Sequence, residues 1–216
     1  MFKSFFSNSV EIPTLRLSGV IGQAGLMRSG LNISSLDKLI DQLFSYKKAP
    51  AVALIVNSPG GSPTQSSLIS KKIIKASKEK NKKVLVFAED VAASGGYLIA
   101  CAGDEIYANS SSIVGSIGVI SSWLNFSTLY ERVGITTDSL KRGNNSLYFS
   151  MQHLLSDGER KKLEESTEEV YQTFKNKVLE GRNLDPSFDL DKDIARSMLI
   201  KNIVIGYNFS TFFLNL

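Results

Sequence analysis

The 216 residues are 43% hydrophobic and 21% charged, with a net charge of +4, a mix that suits one domain with a substantial core. A single cysteine, Cys101, excludes an internal disulfide. A single histidine, His153, excludes a multi-histidine metal site and leaves one possible imidazole base.

Lysines and arginines are spread out. The densest cluster, KASKEKNKK from Lys75 to Lys83, reads as a solvated helix end rather than a nucleic-acid patch. The first residues, MFKSFFSNSVEIP, hold too short an apolar run for a signal peptide. No run reaches the roughly 18 apolar residues of a spanning helix. The sequence therefore predicts a cytoplasmic or membrane-associated protein with no anchor, leaving peripheral association open.

TLRLSGVIG, from Thr14, alternates and ends in glycine, predicting a first strand. Leu36, Leu39, Ile40, Leu43 and Phe44 then recur at helical spacing, with Ser34 or Ser35 as the expected N-cap. AVALIVN, from Ala51, is a continuous apolar run, as in a strand covered on both faces. It breaks at Ser58-Pro59-Gly60-Gly61, a strong turn signal. A helix with Pro63 near its start follows, then a second buried strand, KVLVFAE, from Lys83.

Short elements come next: EIYA, SSIVGSIGVI and a helix around STLYERVG. Ser156 and Glu159 form a capping box before a long helix whose apolar stripe is Leu163, Val170, Tyr171, Phe174 and Val178. The C-terminal MLIKNIVIGYNFSTFFLNL is apolar but interrupted by Lys201, Asn202 and Asn208; a strand pair, a frayed end and an interfacial segment all fit it. Strands alternating with crossover helices predict an α/β fold with a mostly parallel sheet. No linker divides the chain, so one domain over residues 1–216 is expected.

Two loops draw attention, because ligands collect at the carboxyl ends of parallel strands. One is NSPGGS, Asn57 to Ser62; the other is AASGGY, Ala92 to Tyr97, turning into an apolar helix. A serine at a helix start sits beside unpaired backbone amides, which can stabilise an oxyanion. Paired glycines admit close backbone approach. The plainer reading makes Ser94 an N-cap and the glycines packing devices. Cys101, within an apolar helix pattern, reads as a buried, inert thiol rather than a catalytic one. Tyr97 and Trp123 read as packing residues in or near the groove, and Asp104 as an anchor of the helix end.

NSPGGS followed by DVAASGGYLIACAGDEIYANSSSIVGSIGVI resembles the signal peptide peptidase A (protease IV) family of serine peptidases, S49. The resemblance runs from about Ile12 to about Arg182. It implies a ClpP/crotonase-like core, with Ser94 as nucleophile and with Gly60, Gly61 and the Gly95 amide lining the oxyanion pocket. It implies no metal or organic cofactor and no nucleic-acid partner. Peptide substrates, such as remnant signal peptides, are what it implies instead. Members of the family use a lysine rather than a histidine as base, and a buried neutral amine suits that role.

The family lysine lies about fifty residues past the nucleophile, at the end of a K-x-G-x-x-K-like pattern. Here the matching stretch is KRGNNS, and an ungapped count puts Ser146 at the base position. Three readings follow. Lys141 substitutes from five residues upstream; another subunit of a homo-oligomeric ring, or a lysine-bearing homologue, supplies the amine; or the chain is an inactive subunit that binds peptides. After Ile194-Ala195-Arg196 the tail, residues 195–216, departs from the family pattern. A crotonase-type acyl-CoA enzyme is a further alternative, with Glu89, Asp90 and Asp104 as candidate carboxylates.

Overall fold

A computed structural model describes residues 11–22, 30–122, 124–136, 138, 140, 142, 154–188, 190 and 203–205. The sequence readings on Trp123, Lys141, Ser146 and His153 fall outside these residues. Two compact units are present, Met1–Ile117 with Phe174–Leu216, and Gly118–Thr173.

The first unit carries a parallel sheet. β1 (Thr14–Ser18), β2 (Ala51–Ser58), β3 (Lys83–Ala93), β4 (Glu105–Ala108) and β6 (Ile203–Ile205) lie side by side in that order. β5 (Ile113–Gly115) pairs with the far half of β3. All five pairings are parallel, as the alternation of strands and helices predicts. Helices α1 (Ile33–Ser45), α2 (Pro63–Lys80) and α3 (Gly95–Ala100) connect the strands. Val52, Leu54 and Val56 of β2, with Val84 and Val86 of β3, share a fully enclosed core with Leu36, Ile40, Ile69, Ile73 and Ile99 from the helices. Each such side chain contributes about 1.5–3 kcal/mol on leaving water. The opposite sheet face carries a smaller cluster of Ala51, Ala53, Leu85, Phe87 and Tyr107. Phe87 and Tyr107 stack there with ring centres 5.0 Å apart.

Four local expectations change. The N-cap of α1 is Asn32, whose Oδ1 accepts the Ser35 amide at 3.0 Å. The helix begins there because the Gln65 side chain accepts the Ile33 amide, at 2.9 Å. Leu39 flanks the apolar stripe and is 44% exposed. Lys82 is not a solvated lysine; it is buried, and its amine donates to the Tyr46 carbonyl. Asp104 does not anchor α3 but fastens β4 to the start of β3, accepting the Val84 amide at 2.7 Å and donating its own to the Val84 carbonyl.

The second unit contains α4 (Ser127–Arg132) and the start of α5 (Asp157–Arg182). The expected capping box is present: Ser156 N donates to Glu159 Oε2 at 3.1 Å, and Glu159 N to Ser156 Oγ at 3.4 Å. Further along α5, Phe174 and Val178 enter the core of the first unit. Gly181 lets the end of α5 approach α3's end, since a side chain there would meet the Cys101 carbonyl at 2.4 Å. No helix among the described residues is long and apolar enough to cross a membrane.

Candidate active site

β3 delivers the chain into Ser94 through the buried Ala92 and Ala93. Ser94 has φ 52° and ψ −122°, a region that residues with a Cβ avoid, at a cost of about 1–3 kcal/mol. The surroundings hold it there. Its amide donates to the Gly115 carbonyl of β5 at 2.7 Å, and its carbonyl accepts the Leu98 amide of α3 at 3.0 Å. Ser94 occupies the N-cap position, yet its hydroxyl makes no capping hydrogen bond. The plainer sequence reading, a serine kept for capping, therefore lacks its interaction. A strained serine on a sharp strand-to-helix turn, half-buried with its hydroxyl uncommitted to the helix, has the geometry of a presented nucleophile.

The glycines divide by what surrounds them. Gly60 has φ +99°, and a side chain there would lie 2.8 Å from both Gly95 N and Ser94 Cβ. The two loops thus meet at Gly60, and its missing side chain leaves space beside Ser94 and the Gly95 amide. Gly61, at φ +144°, faces Ile21 instead, with only 2.1 Å between a would-be Cβ and the Ile21 carbonyl oxygen. It sits in a bridge flanked by Ile21 N to Gly60 O, 2.9 Å, and Ser62 N to Ile21 O, 2.8 Å. Gly95 and Gly96 serve packing: side chains there would meet Ser66 Oγ at 2.3 Å and the Ser58 carbonyl oxygen at 2.7 Å. The structure thus brings Gly60, Ser94 and Gly95 together and sets Gly61 against the β1 side.

Two residues of this site escaped the sequence reading. Buried Ser58 accepts the Gly60 amide at 3.1 Å, fixing the turn. Asn57 Nδ2 donates to Asp90 Oδ2 at 3.1 Å, and its Oδ1 accepts the Val91 amide at 3.3 Å. The signal for Ser58 is present in the sequence, as Ser-Pro-Gly is a side-chain-supported turn. The Asn57 contacts span more than thirty positions and have no local signature.

Behind the Ser94 turn, Tyr97 and Cys101 are both buried. Burial pushes the thiol up to about 12 from an ordinary 9.0, with the Arg182 guanidinium pulling the other way. Burial also raises the Tyr97 hydroxyl, again opposed by Arg182. Cys101 is thus the inert thiol expected. A group that ionises less readily when folded stabilises the fold while protonated. That contribution is complete below about pH 9 and is lost as pH climbs toward 12. Melting temperature is therefore expected to fall from pH 9 upward, and Cys101→Ala to flatten that decline. Parallel slopes for the two proteins in differential scanning fluorimetry would contradict this.

The candidate carboxylates have other occupations. Glu89 pairs with Arg16 at 2.6 Å, Asp90 with Asn57, and Asp104 lies at the opposite end of β3. A cavity of about 440 Å³, lined by Pro13, Leu15, Leu39, Gln42 and Tyr46 among others, contains none of the expected site residues.

The sequence model described as "Peptidase family S49" matches residues 76–198, more than half of the chain and inclusive of the Ser94 turn. The chain is 41% identical over 181 residues to the Na(+)/H(+) antiporter NhaA of Brucella melitensis, covering 83% of this chain and 25% of that one. It is 34% identical over 183 residues to the putative signal peptide peptidase SppA of Enterococcus faecium, covering 83% and 53%. Against Protease 4 of Haemophilus influenzae it is 33% identical over 177 residues, covering 81% and 28%. The chain thus spans between a quarter and about half of the length of these relatives. A family match laid directly over a strained serine turn and its glycine neighbour leads to one conclusion: the chain belongs to peptidase family S49.

Proposed function

We propose that the chain is a serine endopeptidase in which Ser94 attacks the peptide carbonyl. The observation that carries this reading is the Ser94 backbone, held at φ 52° and ψ −122° with no capping bond from its hydroxyl. The Ser94 oxygen adds to the carbonyl carbon while its proton passes to a neutral lysine amine. The oxyanion takes a hydrogen bond from the Gly95 amide, in the space left by Gly60. Such a donor contributes about 3–4 kcal/mol to an acyl-transfer transition state. Collapse expels the amine product, which takes the proton from lysine, and water then hydrolyses the acyl-serine.

The lysine comes from a neighbouring subunit, either a second copy or a lysine-bearing homologue, because Ser146 stands where the family pattern has its base. Exposed Ile120, Leu124, Leu129 and Val133 in the second unit support such assembly. Lys141 is the candidate within the chain. Peptides with apolar side chains, remnant signal peptides among them, are the proposed substrates; the relative named a signal peptide peptidase supports that class.

The same serine at position 146 favours a second reading, a subunit that binds peptides without cutting them. Ser146→Lys separates the two. On the catalytic reading with an intact site, this variant gains peptide hydrolysis by about 100-fold or more, in line with a restored general base. Wild-type turnover by the chain alone would defeat the non-catalytic reading. No gain in Ser146→Lys, together with no turnover when a lysine-bearing homologue is added, would defeat the catalytic one.

A further inference from the structure

We propose that Asn57 and Asp90 form a clamp that sets the register bringing Gly60 opposite Ser94, making Asn57 a positioning residue for the nucleophile. This rests on the reading of Ser94 as nucleophile. β2 and β3 pair regularly up to Val56 with Ala88, and resume at Ser58 with Ala92. Two residues of β2 are therefore matched by four of β3, so β3 bulges through Glu89, Asp90 and Val91. The consequence is arithmetic. Two positions past the Ser58–Ala92 pair come Gly60 and Ser94, the residues found in contact. Had the earlier register continued, Gly60 would face Ala92, and Ser94 would face Ser62, one residue beyond the SPGG turn.

A bulge of this kind strips backbone groups of their ladder partners. Asn57 supplies the replacement, its Oδ1 accepting the Val91 amide inside the bulge at 3.3 Å. Its Nδ2 donates to Asp90 Oδ2 at 3.1 Å, which fixes the amide's orientation. The Asn57 carbonyl meanwhile accepts the Gly19 amide at 2.9 Å, tying the same residue to the end of β1. One side chain thus links the base of the SPGG loop to the strand that presents Ser94. Asn57 touches no reacting atom; it acts through register.

The test is a reciprocal exchange, Asn57→Asp, Asp90→Asn and the double variant. Asn57→Asp removes the donor and sets two carboxylates together, whereas the double variant restores one donor and one acceptor with the partners swapped. Fluorophosphonate labelling of Ser94 is expected to slow about tenfold in Asn57→Asp, short of the hundredfold a full ångström of misplacement can cost. It should return to near the wild-type rate in the double variant. Amide exchange at Val91 and Ser94 should accelerate in Asn57→Asp and recover in the double, with melting temperatures held comparable. Labelling and exchange unchanged in Asn57→Asp, or unrescued in the double, would overturn the clamp. If wild type is not labelled at Ser94, the nucleophile reading fails, and the exchange data still decide whether the clamp exists.

Discussion

Ser94→Gly is expected to abolish fluorophosphonate labelling and to raise the melting temperature. At φ 52° and ψ −122°, the serine Cβ costs about 1–3 kcal/mol in local strain. Glycine relieves that strain and adds about 0.5–1 kcal/mol of chain entropy to overcome, which leaves a net gain of up to about 2.5 kcal/mol. For a chain of this size each kcal/mol moves the melting temperature by about 2–4 °C. Ser94→Ala is the control, because it loses the hydroxyl and keeps the strained Cβ. Labelling should vanish in both variants, with only the glycine variant melting higher. A Ser94→Gly protein less stable than Ser94→Ala would mean that the turn is not strained and that Ser94 is not held in a presented conformation.

The second large effect separates the two glycines of the SPGG turn. Gly61→Ala should cost about 3 kcal/mol or more, because the new carbon would sit 2.1 Å from a backbone oxygen of Ile21 and at an unfavourable φ. That corresponds to a fall of at least about 6 °C in melting temperature. Gly60→Ala meets Gly95 N and Ser94 Cβ at 2.8 Å, and its strain is expected to cost about 1–3 kcal/mol. Its larger consequence is chemical, since the methyl group would fill the space beside the Gly95 amide. Labelling of Ser94 should therefore drop in Gly60→Ala by about 100-fold, comparable to losing an oxyanion donor. In Gly61→Ala the folded fraction should label at a rate much closer to wild type. Equal labelling of Gly60→Ala and wild type would remove Gly60 from the site.

The features legible in the sequence were those written locally. The run from Ala51 gives a strand buried from Ala51 through Val56, and Ser156 with Glu159 gives a capping box seen in the hydrogen bonds. The NSPGGS and AASGGY loops stand at neighbouring strand ends, as parallel α/β logic requires. What was not legible depends on pairings distant in sequence. Asn32 displaces Ser34 and Ser35 as N-cap, with Gln65 accepting the next amide from across the fold. Lys82 is buried because a carbonyl at Tyr46 receives its amine. Ile203–Ile205 is resolved as a strand because it pairs parallel to β4, nearly a hundred residues away. The bulge that aligns Gly60 with Ser94 has the same character: the loops are visible in the sequence, but the register between them is not.

The most direct measurement is to treat the protein with a fluorophosphonate, alone and with a lysine-bearing family member, and to map the adduct by mass spectrometry. One adduct, on Ser94, is the predicted result. An adduct on another residue, or none on Ser94 under either condition, would contradict it.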